Sequence, residues 1–176
     1  METKPQPYTN WKQDDAWLNK AEAWPASLFP DSEYRFFRDC GCLICALAVM
    51  VRHCGAEADD TLFNPWELNQ RLIDCDAFDS AADLELEFVD RLYPLEYLGA
   101  IQYSWDTLVT TVKRGFPCLV TVPGKKAPQH FMAVLRVLDN DAEIYDPLYG
   151  ETKLSSYHRI CEIRVFRLAE DKLGRS

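Results

Sequence analysis

Arg38-Asp39-Cys40-Gly41-Cys42-Leu43-Ile44-Cys45-Ala46-Leu47-Ala48-Val49-Met50-Val51 is the stretch whose reading decides the fold. Leu43, Ala46, Leu47, Met50 and Val51 recur at helical spacing, and most residues between them are apolar too. That pattern predicts a helix buried on nearly every side, ended by Gly55 as its left-handed C′ residue. Cys42 opens the helix, where the backbone dipole places roughly half a positive charge and favours an anion. A thiol held there and faced by an imidazole forms an activated nucleophile.

The imidazole comes 88 residues later, in Gln129-His130-Phe131-Met132-Ala133-Val134. The chain has three histidines. His53 falls inside the Cys42 helix and His158 in a polar loop, whereas His130 opens an apolar strand. Cys40 is the alternative nucleophile, two residues before Cys42. The grouping of Cys40, Cys42 and Cys45 with His53-Cys54 also suggests zinc. Cys45 and Cys54 lie nine residues apart on one helix, more than two turns, so they do not share an ion with Cys42. The expectation is no metal and no cofactor.

Outward from these segments the chain divides by character. Residues 1–10 read as a loose tail, residues 11–22 as a short helix carrying Trp11, Trp17, Leu18 and Ala21, and residues 23–38 as an ordered loop. Asn64-Pro65 is a helix start, with Asn as N-cap and Pro in the first turn. A further helix is expected from Asp79 or Ser80 through Leu84, Phe88, Val89 and Leu92, and another from Trp105 to Arg114, capped by Ser104 and closed by Gly115. Strands are expected over 116–122, 130–138, 142–145 and 161–168, with Asp139-Asn140-Asp141 as a turn. Helices first and an antiparallel sheet second make a single α+β domain over 1–176.

Asp146 ends the third of these strands and precedes Pro147, which forces an extended backbone at Asp146. A carboxylate bonded to the imidazole Nδ1 would fix its tautomer. A simple turn centred on Asn140 sets Asp146 opposite Val134, four residues from His130. At about 3.3 Å per residue that is out of reach, so a shifted register, a bulge or a bend is required.

The bulk properties set the limits. The chain has 176 residues, 48% of them hydrophobic and 27% charged, which suits one globular domain with a sizeable core. A net charge of −9 argues against a nucleic-acid partner, which needs clustered Lys and Arg. No apolar run reaches the roughly 20 residues of a membrane span, and the first residues lack the apolar core of a signal peptide. Seven cysteines, an odd number and mostly within apolar segments, point to a reducing, cytoplasmic compartment, with non-classical export or delivery as the other route.

Taken together, these segments resemble the papain-like cysteine peptidases of the bacteriocin-processing type, in their stand-alone branch. That branch has a Gln-x-Asp stretch with a nearby Trp, then Gly-Cys leading an apolar run to a Gly some 13 residues on, then a His opening a strand and an Asp-Pro one hairpin later. Here Gln13-Asp14-Asp15-Ala16-Trp17, Gly41-Cys42 with Gly55, His130-Phe131-Met132-Ala133-Val134 and Asp146-Pro147 match in order and spacing. Asn64-Pro65-Trp66-Glu67-Leu68-Asn69 is similar to a segment that follows in the same branch, and the likeness covers roughly residues 11–150. Cys45 departs from the usual Thr or Ser, and Trp17 is one position nearer to Gln13 than usual. Asp39-Cys40-Gly41 also echoes the leader peptidases, where Asp-Cys-Gly contains the nucleophile.

The resemblance implies a papain-like fold with N-terminal helices on a C-terminal antiparallel sheet. It implies Cys42 as nucleophile, His130 as general base and acid, Asp146 as orienting carboxylate and Gln13 as oxyanion donor. It also implies a hydrolase cutting a peptide or isopeptide bond, with peptidoglycan cross-peptides as one such substrate. An inactive peptide-binding module, and an acyltransferase or deamidase using the same triad, are the alternatives. Oligomeric state is not readable from the chain.

Overall fold

A computed structural model of the chain describes residues 11–57 and 63–169. The expected tail at residues 1–10 lies outside them. The architecture is α+β, built on one six-stranded antiparallel sheet. In chain order the elements are α1 (Phe37–Cys40), α2 (Cys42–Cys54), α3 (Pro65–Asp74), β1 (Leu95–Gln102), α4 (Trp105–Lys113), β2 (Cys118–Pro123), β3 (Gln129–Val137), β4 (Ala142–Asp146), β5 (Gly150–Lys153) and β6 (Glu162–Leu168), with 3-10 turns at Leu86–Arg91 and Leu154–Ser156. The strand order is β1-β6-β2-β3-β4-β5, which puts β3, the strand of His130, in the interior of the sheet.

α2 is the helix expected at Cys42, and nine of its thirteen residues are buried. Such a helix owes its stability to packing on all sides and not to an amphipathic stripe. It lies on β3, β2 and β4, where Leu47, Val51 and Met50 join Leu119, Ala133, Tyr145 and Phe166 in one apolar layer. A second apolar layer covers the opposite face of the sheet, with Leu108 of α4 against Val120, Met132, Val134 and Ile144. Gly55 closes α2 in the left-handed conformation at φ 67°. α3 starts as expected, and Asn64 and Glu67 bond each other's backbone N–H in a capping box.

Gly41 is required by space and not by dihedral, since its φ is −76°. A Cβ there would sit 2.2 Å from Phe37 Cδ1 and 2.7 Å from the Phe37 carbonyl oxygen. Gly41 ends α1 and caps α2 at once, so that α2 begins directly at Cys42.

Four expectations need correction. Residues 11–22 form turns and no helix, because polar side chains take the backbone groups: Asp15 accepts from the Lys12 N–H at 3.2 Å, and the Asn19 amide donates to Gln13 O at 2.9 Å and Asp15 O at 3.1 Å. The helix from Asp79 or Ser80 is also absent. The Asp79 carboxylate accepts from the N–H groups of Ala81 and Asp83, Ala82 turns at φ 63°, and only the 3-10 segment Leu86–Arg91 follows. β1 and β5 were not foreseen. β1 lies on an edge with Leu98 and Ile101 exposed and a register shift between Tyr97 and Gly99, so the clean alternation of a half-buried strand is lost. β1 also precedes α4, so the order is not simply helices and then sheet.

The β3–β4 hairpin carries the shift that the sequence demanded. Val137 pairs Ala142 and Arg136 pairs Glu143, then the register slips so that Val134 pairs Ile144 and Ala133 pairs Tyr145. Leu135 is the extra residue. Its carbonyl accepts a hydrogen bond from His53 Nε2 of α2 at 2.5 Å.

Two stability measurements follow. Gly41→Ala overpacks the α1–α2 joint and lowers the unfolding free energy by about 1–3 kcal/mol in denaturant titration. His53→Ala leaves the Leu135 carbonyl without this partner and costs about 1 kcal/mol by the same measurement.

Candidate active site

Four segments remote in sequence meet at one end of the sheet. Cys42 stands at the first position of α2, His130 is the second residue of β3, Asp146 is the last residue of β4, and Gln13 comes from the loop that precedes α1. All four are buried, and all four line one cavity of about 500 Å³.

The slipped hairpin explains the contact between His130 and Asp146. The register at Tyr145 extends to place Asp146 across from Met132, two residues from His130 and on the same face of the sheet. Diagonal neighbours of this kind lie within side-chain reach. His130 Nε2 and Asp146 Oδ1 are 2.7 Å apart. A carboxylate only accepts, so Nε2 carries the proton in this bond. The sequence reading assigned the carboxylate to Nδ1. The structure corrects this: Nε2 faces Asp146, which leaves Nδ1 free of the carboxylate, and the Cys42 thiol adds to the upward shift of the ring.

Asp146 is fully buried and has three donors. Oδ1 accepts from His130 and from the Leu148 N–H at 2.7 Å, and Oδ2 accepts from the Tyr157 hydroxyl. Burial alone would push this carboxyl up, but the bonds from His130, Tyr157 and Leu148 outweigh it and hold the group below the usual carboxylate range. Burial likewise pulls His130 down, and the hydrogen bonds to Asp146 and Cys42 overcome it and carry the imidazole up to about 9. The ring is therefore an imidazolium at neutral pH.

Cys40 fares differently. It ends α1, half-buried, and burial together with the neighbouring Cys42 pushes its thiol up to about 12. Cys45, wholly buried on α2, is likewise raised. Of these three thiols, Cys42 is the one hydrogen-bonded to His130. All seven cysteines are free. Among the described residues, no group of three or more His, Cys, Asp or Glu is arranged to hold a metal ion.

Gln13 is fixed from both ends. Its backbone N–H donates to Pro147 O at 2.8 Å, next to Asp146, and its Nε2 donates to Arg38 O at 3.2 Å, just before Gly41 and Cys42. The side-chain amide lines the cavity, and its Oε1 is buried with no hydrogen-bond partner among the described residues. Asn19 completes the tie, donating to Gln13 O while its Oδ1 accepts from the Arg38 N–H at 3.0 Å. Sequence reasoning missed Asn19 and Tyr157. Neither carries a local signal: Asn19 sits in a turn that read as helix, and Tyr157 follows a 3-10 turn eleven residues after Asp146.

A second cavity of about 350 Å³ opens on the other side of Cys42, walled by Trp24, Phe78, Leu84 and Phe131. Among the described residues no helix is long and apolar enough to cross a membrane. No protein-family model, curated protein or solved structure shows significant similarity to the chain.

The titrations have defined signs. His130 binds its proton more tightly when folded than an ordinary imidazole near 6.5 does. Its contribution to stability is complete below about pH 6.5 and is lost as pH rises through about 9. Asp146, held below 3.8, contributes above that range and loses its contribution as pH falls through its lowered value. Ring-proton NMR of His130 is expected to titrate near pH 9, and Asp146→Asn to move that titration to lower pH. A midpoint at or below about 6.5 in the unsubstituted protein would contradict the arrangement.

Proposed function

We propose that the protein is a cysteine-dependent acyl hydrolase of papain-like design that cleaves a peptide or isopeptide bond. The observation that carries this reading is His130, bonded through Nε2 to a buried carboxylate and sharing one cavity with a thiol at a helix N-terminus that helps to raise its pKa. A buried histidine needs polar partners in any role, and what favours a catalytic one here is that a thiol at a helix N-terminus lines the same cavity. The papain-like description rests on the same placement, with the thiol on a buried helix and the imidazole and carboxylate on neighbouring antiparallel strands.

In this reading the Cys42 thiolate attacks the substrate carbonyl carbon and forms a tetrahedral oxyanion. As the first residue of α2, Cys42 has a backbone N–H ahead of the helical hydrogen-bond ladder, and that N–H and Gln13 Nε2 stabilise the developing charge. The intermediate collapses as the C–N bond breaks, and the His130 Nδ1 proton passes to the departing nitrogen. The thioester left on Cys42 is attacked by water. His130 takes the water proton and returns it to sulfur, releasing the carboxylic acid. Asp146 keeps the ring oriented and favours its charged form throughout, and Tyr157 and Leu148 keep Asp146 ionised.

Thiol labelling tests the reading before any substrate is known. At about pH 6, iodoacetamide is expected to modify Cys42 far faster than the other cysteines, and His130→Ala to abolish that selectivity, as read by peptide mapping. Slow modification of several cysteines at similar rates would sink the proposal. With a cleaved peptide in hand, Gln13→Ala is expected to lower turnover about 100- to 1000-fold while changing the iodoacetamide rate at Cys42 little, because alkylation builds no oxyanion.

A further inference from the structure

The larger cavity is basic, in a chain that is acidic. The sequence has 28 acidic residues against 19 basic ones. Yet the cavity wall holds Arg38, Lys125, Lys126 and Arg159, and its two acidic residues, Asp39 and Asp146, are already engaged. Asp39 is paired with Lys126 at 2.8 Å, and Asp146 is buried under His130, Tyr157 and Leu148. That leaves Arg38, Lys125 and Arg159, all exposed, with no carboxylate partner among the described residues. They come from three separate segments: α1, the β2–β3 loop and the stretch before β6. Each alone is a weak surface charge. Converging on a concave, largely apolar wall, they focus a positive potential on the space beside His130.

The smaller cavity has the opposite character. Its cation, Arg164, is engaged by Glu162 at 2.8 Å, Gln129 at 3.3 Å and the Tyr97 hydroxyl at 3.1 Å. Its acid, Asp83, is exposed and no cation pairs with it among the described residues. Cys42 lines both cavities, but His130 and Asp146 line only the larger one. A leaving nitrogen takes its proton from His130, so the leaving half of a substrate must run into the larger, basic cavity. The acyl half then falls toward the smaller, apolar one.

We propose that the substrate is a peptide whose segment after the scissile bond is acidic, held by Arg38, Lys125 and Arg159. The assignment of sides rests on the hydrolase reading above. The charge preference itself rests only on the residues lining the cavity.

The test uses the full chain with Cys42→Ala, which binds without turnover. Fluorescein-labelled peptides carry an apolar residue, a glycine and then a run of glutamates; companion peptides carry glutamine or lysine in the run, or the glutamates placed before the apolar residue. By fluorescence anisotropy the glutamate-after peptide is expected to bind about tenfold tighter than the glutamine one. The gap should shrink as salt is raised, and vanish when Arg38→Glu, Lys125→Glu and Arg159→Glu are combined in this protein. Equal binding of the glutamate and glutamine peptides, no binding of any peptide, preference for glutamate before the apolar residue, or displacement by a single-stranded oligonucleotide but not by free acidic peptide would each overturn it. The fold of the triple variant is checked by its circular dichroism spectrum and its unfolding midpoint in denaturant, both expected to match the unsubstituted protein. If the acidic peptide binds Cys42→Ala as expected but unsubstituted protein neither alkylates selectively nor cleaves, the basic site stands and the hydrolase reading falls.

Discussion

Leu135 is an extra residue in β3, and the position of Asp146 depends on it. A side chain in a strand alternates faces with a period of two, so a one-residue slip would carry Asp146 to the wrong side of the sheet. The hairpin avoids this by combining two displacements of one residue. The turn pairs Val137 with Ala142, one step from a turn centred on Asn140, and the bulge adds a second step. Together they move Asp146 from opposite Val134 to opposite Met132, still on the His130 face. The bulge has a partner outside the sheet, the imidazole of His53 near the end of α2. The helix that carries the thiol at its start thus braces, near its other end, the irregularity that sets the carboxylate.

The electrostatics of the cleft follow from that placement. A carboxylate with no solvent exposure is costly unless donors surround it. Asp146 has three, from a ring, a hydroxyl and a backbone N–H, so its charge survives burial. That surviving charge is what raises His130 against its own desolvation. Cys40 shows the contrast at a distance of two residues. It has burial without a cation, and its thiol is pushed up to about 12. What sets Cys42 apart from Cys40 is its place in the cavity lined by His130, a residue nearly ninety positions away in sequence.

What could be read from the chain is what local rules govern. Cys42–Cys54, with its apolar run and terminal Gly55, and Pro65–Asp74, with Asn64 and Glu67 in the capping box, obey helix grammar and stand where expected. Strands β2 and β3 are largely apolar runs, β4 and β6 interleave apolar with charged residues, and all four were legible too. The failures fall where side chains compete for the backbone. Asp15 and Asn19 convert residues 11–22 into turns, and Asp79 does the same at 79–83. β1 and β5 are edge strands whose exposed residues break the alternation that marks a strand. At the site, the sequence could name Cys42, His130, Asp146 and Gln13 and could require a register shift. It could not locate Leu135 as the extra residue, nor choose between the two ring nitrogens, because both depend on pairing across strands.

The turn-rich segment from Trp11 to Phe36 gives no regular element, yet it joins the two halves of the cleft. Through Gln13 it is bonded to Pro147, which follows the carboxylate strand, and to Arg38, which precedes the thiol helix. Asn19 ties Gln13 to Arg38 from a second position. Gly41 then lets α2 start immediately after α1, with Phe37 packed against the joint. In a helix over these residues the Gln13 carbonyl would be bonded within the helix, and Asn19, six positions on, would not reach it to tie Gln13 and Arg38 together. The turn that replaces the expected N-terminal helix thus helps to hold the buried Gln13 side chain in the cavity of Cys42, since the Asn19 bond to Gln13 O belongs both to the turn and to that wall of the cleft.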